Sequence, residues 1–138
     1  MENFDAKIES AIDDILKEQN YSLDAFAQQY VKTALWLSTD DNGNPLDDNY
    51  DIRSISPDSL KIMVDDCSRF QAENAVLMEG LDPKQCGHDF WLTRNRHGTG
   101  FWDRGLGEIG DKLTAAAEAF DESNIYIGDD GRLYVTNG

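Results

Sequence analysis

Apolar residues recur at helical spacing through the first half of the chain. Phe4, Ile8, Ala11, Ile12 and Ile15 share one face of residues 4–18, with acids on the other side. Leu23, Phe26, Ala27, Tyr30, Val31, Ala34 and Leu35 form a second stripe. It predicts a helix that starts at a Ser22 cap, carries Asp24 in its first turn and ends near Leu37. A third stripe runs through Leu60, Met63, Val64, Cys67, Phe70 and Leu77. Its start is marked by Ser56-Pro57-Asp58, a cap followed by a first-turn proline and an acid at the positive end of the dipole, and Gly80 marks its stop. Residues 38–56 between these helices read as a polar loop, with Asn42-Gly43 and Asn44-Pro45 as turn signals. The loop departs from a calcium-binding loop. A start at Asp40 puts Pro45 at the sharp-turn glycine, and a start at Ser38 puts Asn49 in place of the bidentate Glu.

From His88 the period shortens. Phe90 and Leu92 alternate with Trp91 and Thr93, residues 95–100 read as a turn, and Phe101-Trp102 starts a returning strand. Leu106, Ile109, Leu113, Ala116, Ala117 and Phe120 mark a fourth helix. Ile125, Ile127, Leu133 and Val135 flank Asp129-Asp130-Gly131, the pattern of a second hairpin. These elements predict a single α+β domain over residues 1–138: a helical N-terminal half of three helices, then hairpin–helix–hairpin with a small antiparallel sheet.

Charge changes the picture most. The chain has 27 acids against 12 bases, a net charge of −15. Direct nucleic-acid binding through phosphates is disfavoured, and so is an anionic membrane surface. No apolar run approaches the ~20 residues of a membrane span. The opening MENFDAKIES is acidic where a secretory signal is basic and then apolar. The expectation is a cytoplasmic protein whose partner is a protein with a basic surface. The acids include the doublets Asp13-Asp14, Asp40-Asp41, Asp47-Asp48, Asp65-Asp66 and Asp129-Asp130. Two readings stand side by side: acids that keep a small protein soluble, and carboxylates that imitate a phosphate array in the groove of a DNA-binding protein.

Residues 85–110 are net neutral inside this acidic chain and hold both histidines and two of the three tryptophans. His88, Trp91, Arg94, Arg96, His97, Trp102 and Arg104 are the candidate pocket residues. The tryptophans and arginines offer stacking and cation–π faces, and the histidines proton transfer near neutral pH. A pocket here predicts convergence of His88, Arg94, Arg96 and His97 beside the hairpin. The structural alternative is a cross-strand Trp91–Trp102 pair with Arg94 and Arg104 bound to Asp103, Asp89 or the acidic helices. Gly105, Gly107 and Gly110 fit G-x-G-x-x-G, but too little chain follows for a dinucleotide fold, and close packing of helix on sheet explains them better. Cys67 reads as core. Cys67, Cys86, His88 and His97 match no common zinc spacing, so neither a metal nor a cofactor is expected. No P-loop, G-x-S-x-G elbow or H-E-x-x-H occurs, and no nucleophile with its base is identifiable, so no catalytic residue is assigned.

The string from His88 to Arg104, HDFWLTRNRHGTGFWDR, together with Tyr126 to Tyr134, resembles small acidic proteins of tailed-phage and prophage genomes. The resemblance covers roughly residues 46–135. Those proteins have no assigned reaction, so the resemblance carries over no catalytic residue. It implies a phage accessory protein, of the kind that counters host defences or redirects host proteins. The function expected is therefore non-enzymatic: binding and inhibition of a host protein, one that holds nucleic acid or serves defence, through an acidic, DNA-mimicking surface. The alternative is a nucleotide-binding protein or small hydrolase built on residues 88–104.

Overall fold

A computed structural model describes residues 23–138. The helix expected over residues 4–18, the Ser22 cap and the doublet Asp13-Asp14 lie outside the described residues. Helix α1 spans Ala25–Leu37. Asp24, rather than Ser22, caps it, accepting from the Ala27 backbone N–H at 2.9 Å. Helix α2 spans Pro57–Glu73 and starts as expected, with Ser56 capping the Ser59 N–H and Pro57 in the first turn. Leu60, Met63, Val64, Cys67 and Phe70 are all buried along it. It stops at Asn74 rather than Gly80, because the Asn74 amide bonds back to the Phe70 carbonyl at 2.8 Å. A single turn, α3 (Ala75–Met78), follows and carries Leu77.

The main correction falls on residues 83–104. They form helix α4, Pro83–Arg94, followed by a one-turn 3₁₀ segment, Phe101–Asp103, and contain no strand. Asp82 caps α4 through the Lys84 N–H, and Pro83 takes the first turn, so the Leu-Asp-Pro signal starts a helix. Phe90, Trp91, Leu92 and Thr93 are all buried, so their apparent alternation was not a difference between two faces. A helix enclosed on nearly every side shows no amphipathic stripe. The cross-strand Trp91–Trp102 pair falls with the hairpin.

Helix α5 spans Glu108–Glu118. A side chain at Gly110 would lie 3.0 Å from the Phe101 carbonyl, so this glycine packs the helix against the 3₁₀ turn rather than against a sheet. The second hairpin forms as expected: β1 (Ser123–Ile127) pairs antiparallel with β2 (Leu133–Asn137), with Ile125 opposite Val135. The fold is α+β, with helices and a two-stranded antiparallel sheet.

Aromatic rings fill the centre. Phe26, Phe70 and Phe90 come from α1, α2 and α4, Phe101 from the 3₁₀ turn and Phe120 from just past α5, and the Phe70 and Phe90 rings stack at 4.3 Å. Gly87 brings α4 hard against α1, since a Cβ there would stand 2.2 Å from the Phe26 carbonyl oxygen. No helix among the described residues is long and apolar enough to cross a membrane.

Candidate functional site

Helix α4 distributes the candidate pocket residues over three environments. Arg94 points inward and is 1% exposed. Its guanidinium donates to the Tyr30 hydroxyl at 3.0 Å, to the Asp66 carboxylate at 2.8 Å and to the Asp121 carbonyl. It also lies over the Phe90 and Phe120 rings. Burial opposes its charge, but Tyr30 and Asp66 outweigh that and hold its pKa above the usual arginine value. Trp91 is buried edge-on to Tyr30, with ring centroids 5.5 Å apart. Both belong to the interior.

Arg104 grips Asp89, one turn down the same helix, with Nε–O distances of 3.1 Å and an Nη2–O distance of 2.7 Å. Asp89 is itself buried and also accepts from Gln85. Arg96 is exposed and pairs with Glu118 at 3.3 Å. Trp102 is 53% exposed, away from any ring partner among the described residues. The convergence of His88, Arg94, Arg96 and His97 does not occur: α4 turns Arg94 inward and leaves His88 half-buried, and Arg96 and His97 follow the end of the helix.

The two histidines open onto separate hollows. The larger, about 620 Å³, lies between α1 and the turns at residues 46–54. His88 lines it, stacked on Trp36 at 6.3 Å with an interplanar angle of 26°. Gln29 donates to the Thr33 hydroxyl, which lies 2.8 Å from His88 Nδ1. Burial lowers the His88 pKa, partly offset by Asp89. Neutral His88 thus shares a hydrogen bond with Thr33 at Nδ1. Asp47, Tyr50 and Ile52 complete the wall. Sequence reading missed Trp36 and Thr33. Trp36 stands beside the buried Leu35 and is 54% exposed, and a large indole outside the apolar stripe was the available signal.

The smaller hollow, about 380 Å³, holds His97 and Trp91 together with Ser38, Thr39, Asn95, Glu122 and Ser123. Trp91 Nε1 and Ser123 Oγ are both buried and have no hydrogen-bond partner among the described residues.

Three of the four described acidic doublets divide internally. Asp40 accepts from the Asn42 and Asn44 N–H groups, and these bonds hold its carboxyl below the ordinary value, while Asp41 is exposed. Asp66 binds Arg94 and Asn137 with its side chain only 15% exposed, which removes it from the acidic surface; Asp65 beside it is exposed. Asp130 accepts from the Tyr134 hydroxyl and the Arg132 N–H, whereas Asp129 makes no such bond among the described residues; both are exposed. Asp47 and Asp48 are both exposed.

Cys67 and Cys86 are free and buried. Burial pushes the Cys67 thiol well up and the Cys86 thiol up to about 11, so both stay protonated at neutral pH. Among the described residues, no group of three or more His, Cys, Asp or Glu side chains is placed to hold a metal ion. No protein-family model, curated protein or solved structure matches the chain.

Proposed function

We propose that this chain is a non-enzymatic phage accessory protein that binds a basic surface on a host protein and blocks it, in competition with nucleic acid. One observation carries the reading: four of the six arginines are already paired with carboxylates of the chain itself. Arg53 pairs with Asp51, Arg94 with Asp66, Arg96 with Glu118 and Arg104 with Asp89. Asp41, Asp47, Asp48, Asp58, Asp111, Asp121, Glu122 and Asp129 remain exposed on a chain of net charge −15. Such a field speeds encounter with a cationic partner and repels nucleic acid itself. The phage part of the reading rests on the resemblance carried by residues 88–104 and 126–134, and it places the protein in the host cytoplasm. Against the rival reading, a nucleotide site or hydrolase on residues 88–104, stands that Arg94 is interior and Arg104 is bound to Asp89.

The test is affinity capture from a bacterial host lysate on the immobilised full chain. The expected result is a basic protein retained at low salt, released as salt rises and displaced by duplex DNA. Asp47→Lys with Asp48→Lys should slow its association more than it speeds its release. A retained protein indifferent to both salt and DNA overturns the reading.

A further inference from the structure

The smaller hollow runs along the outer edge of β1. Its geometry follows from the hairpin's ladder. Gly128 donates to the Arg132 carbonyl at 2.8 Å, and Gly138 to the Glu122 carbonyl at 2.7 Å. Antiparallel partners alternate between bonded and non-bonded pairs. With Ile125 opposite Val135, Asn124 and Tyr126 therefore turn their backbone groups toward β2, and Ser123, Ile125 and Ile127 turn theirs outward. The Ser123 N–H agrees, since it bonds the Asn95 side chain at 2.8 Å.

The two edges of the hairpin differ. On β2, the outward groups are taken by the start of α2: Ser56 N–H bonds the Leu133 carbonyl at 2.9 Å, and Val135 N–H bonds Ser59 Oγ at 3.0 Å. On β1, the Ser123 carbonyl and both backbone groups of Ile125 have no partner among the described residues. These groups lie in the hollow that also holds the partnerless Trp91 Nε1–H and Ser123 Oγ. Ser38 and Thr39 also line it. An isolated orphan invites a water, whereas this is a row of unmet backbone and side-chain groups along a strand edge.

We infer that an extended, basic segment of a partner polypeptide seats in this slot as a third strand on β1. The inference rests on the proposed basic partner and names where that partner engages. The incoming carbonyls accept from Ile125 N–H and Trp91 Nε1–H, and incoming N–H groups donate to the Ser123 and Ile125 carbonyls. Glu122, which lines the slot, and the exposed Asp121 beside it meet the segment's lysines or arginines. A strand edge reads backbone, so affinity depends on an extended conformation and positive charge more than on a particular sequence.

The experiment is residue-resolved amide exchange and indole NMR on the full chain, with an acetylated alternating lysine–valine octapeptide as probe at low salt. The expected result is a shift of the Trp91 indole N–H and at least ~10-fold slower exchange at Ile125, with Tyr126, already bonded to β2, unchanged. Peptide that binds while leaving Ile125 and the Trp91 indole unmoved assigns the slot to an ordered water only and overturns the inference, with the acidic-surface reading intact. No binding at low salt removes both. Protection at Ile125 that appears without peptide and grows with protein concentration assigns the edge to a second copy of this chain, and also overturns the inference.

Discussion

Arginine and aspartate build two regions of this protein with opposite behaviour. In the interior, Arg94, Asp66 and Tyr30 form a closed polar knot beneath Phe90 and Phe120, and burial pushes the Tyr30 phenol up so that it stays a neutral hydroxyl that accepts from Arg94. On the outside, Asp41, Asp48 and Asp129 stand in water. The boundary between the regions runs through the doublets themselves. Asp66 is structural while its neighbour Asp65 faces out, and Asp40 and Asp130 organise turns beside exposed partners. Residue type therefore says little about role here. What decides it is whether a donor of fixed geometry stands opposite the carboxylate.

The largest effect that separates the regions comes from two arginines on adjacent stretches of chain. Arg94→Met leaves the Asp66 carboxylate, the Tyr30 hydroxyl and the Asp121 carbonyl without their donor. Breaking a buried pair from one side costs about 3–5 kcal/mol, and denaturant unfolding should show a loss of that size. Lysine cannot rescue it, because a single ammonium does not reproduce the guanidinium fork. Arg96→Met removes a side chain 59% exposed, facing a half-open Glu118, and should change stability by no more than about 0.5 kcal/mol. Equal losses from the two would erase the distinction.

The same division explains what the sequence made legible. The stripes of α1 and α2, the Ser56-Pro57 start and the Asp129-Asp130-Gly131 hairpin were readable, because each element there buries one face and exposes the other. Helix α4 was not readable. It buries Asp89, Thr93 and Arg94 along with Phe90 and Trp91, so polar residues sit where a hydrophobic pattern would mark the core. The Asp82-Pro83 start was present, but Leu81-Asp82-Pro83 also spells a turn, and only the packing of α4 against α1 through Gly87 selects the helix. The candidate site suffered in consequence. Read as a hairpin, residues 88–104 place Arg94, Arg96 and His97 at the turn with His88 at the far end of the strand; in the fold, His88 and Arg94 lie on α4, while Arg96, His97 and Arg104 lie on the segments that follow it. The groove beside Trp36 and the open β1 edge depend on which surfaces other elements leave uncovered, a property of the assembled fold rather than of any local string.

An intermediate effect lies at the edge between the regions, at His88. Burial depresses its folded pKa below the ordinary 6.5, with Arg104 contributing in the same direction and Asp89 opposing. Between the folded value and about 6.5, the unfolded chain binds more protons than the folded one. Stability should therefore fall as pH drops through about 6.5, and the fall should be complete below the folded pKa. Asp51, held below the ordinary carboxylate value by Arg53, titrates well beneath this window. His88→Gln keeps a hydrogen-bonding group for Thr33 but cannot take up a proton, so its stability should be flatter than that of the parent between about pH 7 and pH 5. Identical slopes would mean that the stack on Trp36 tolerates the imidazolium.

The smallest effect on the fold belongs to the exposed halves of the doublets. Asp41 and Asp129 each sit beside a carboxylate that already accepts the local backbone N–H groups, at Asp40 and Asp130. Neutralising Asp41 and Asp129 to Asn takes no hydrogen bond from those turns and removes two negative charges from a chain at −15. Self-repulsion among like charges opposes compaction, so the double variant should be as stable as the parent or slightly more so, within about 0.5 kcal/mol. The gain should shrink as salt screens the surface, since exposed charges lose contact beyond ~8 Å at physiological ionic strength. Its association with a basic partner should instead slow, most clearly at low salt. Thermal unfolding at two salt concentrations, paired with association rates under the same conditions, measures both sides. A double variant markedly less stable than the parent would mean that Asp41 and Asp129 hold the turns as well, and the doublets would then belong wholly to the fold.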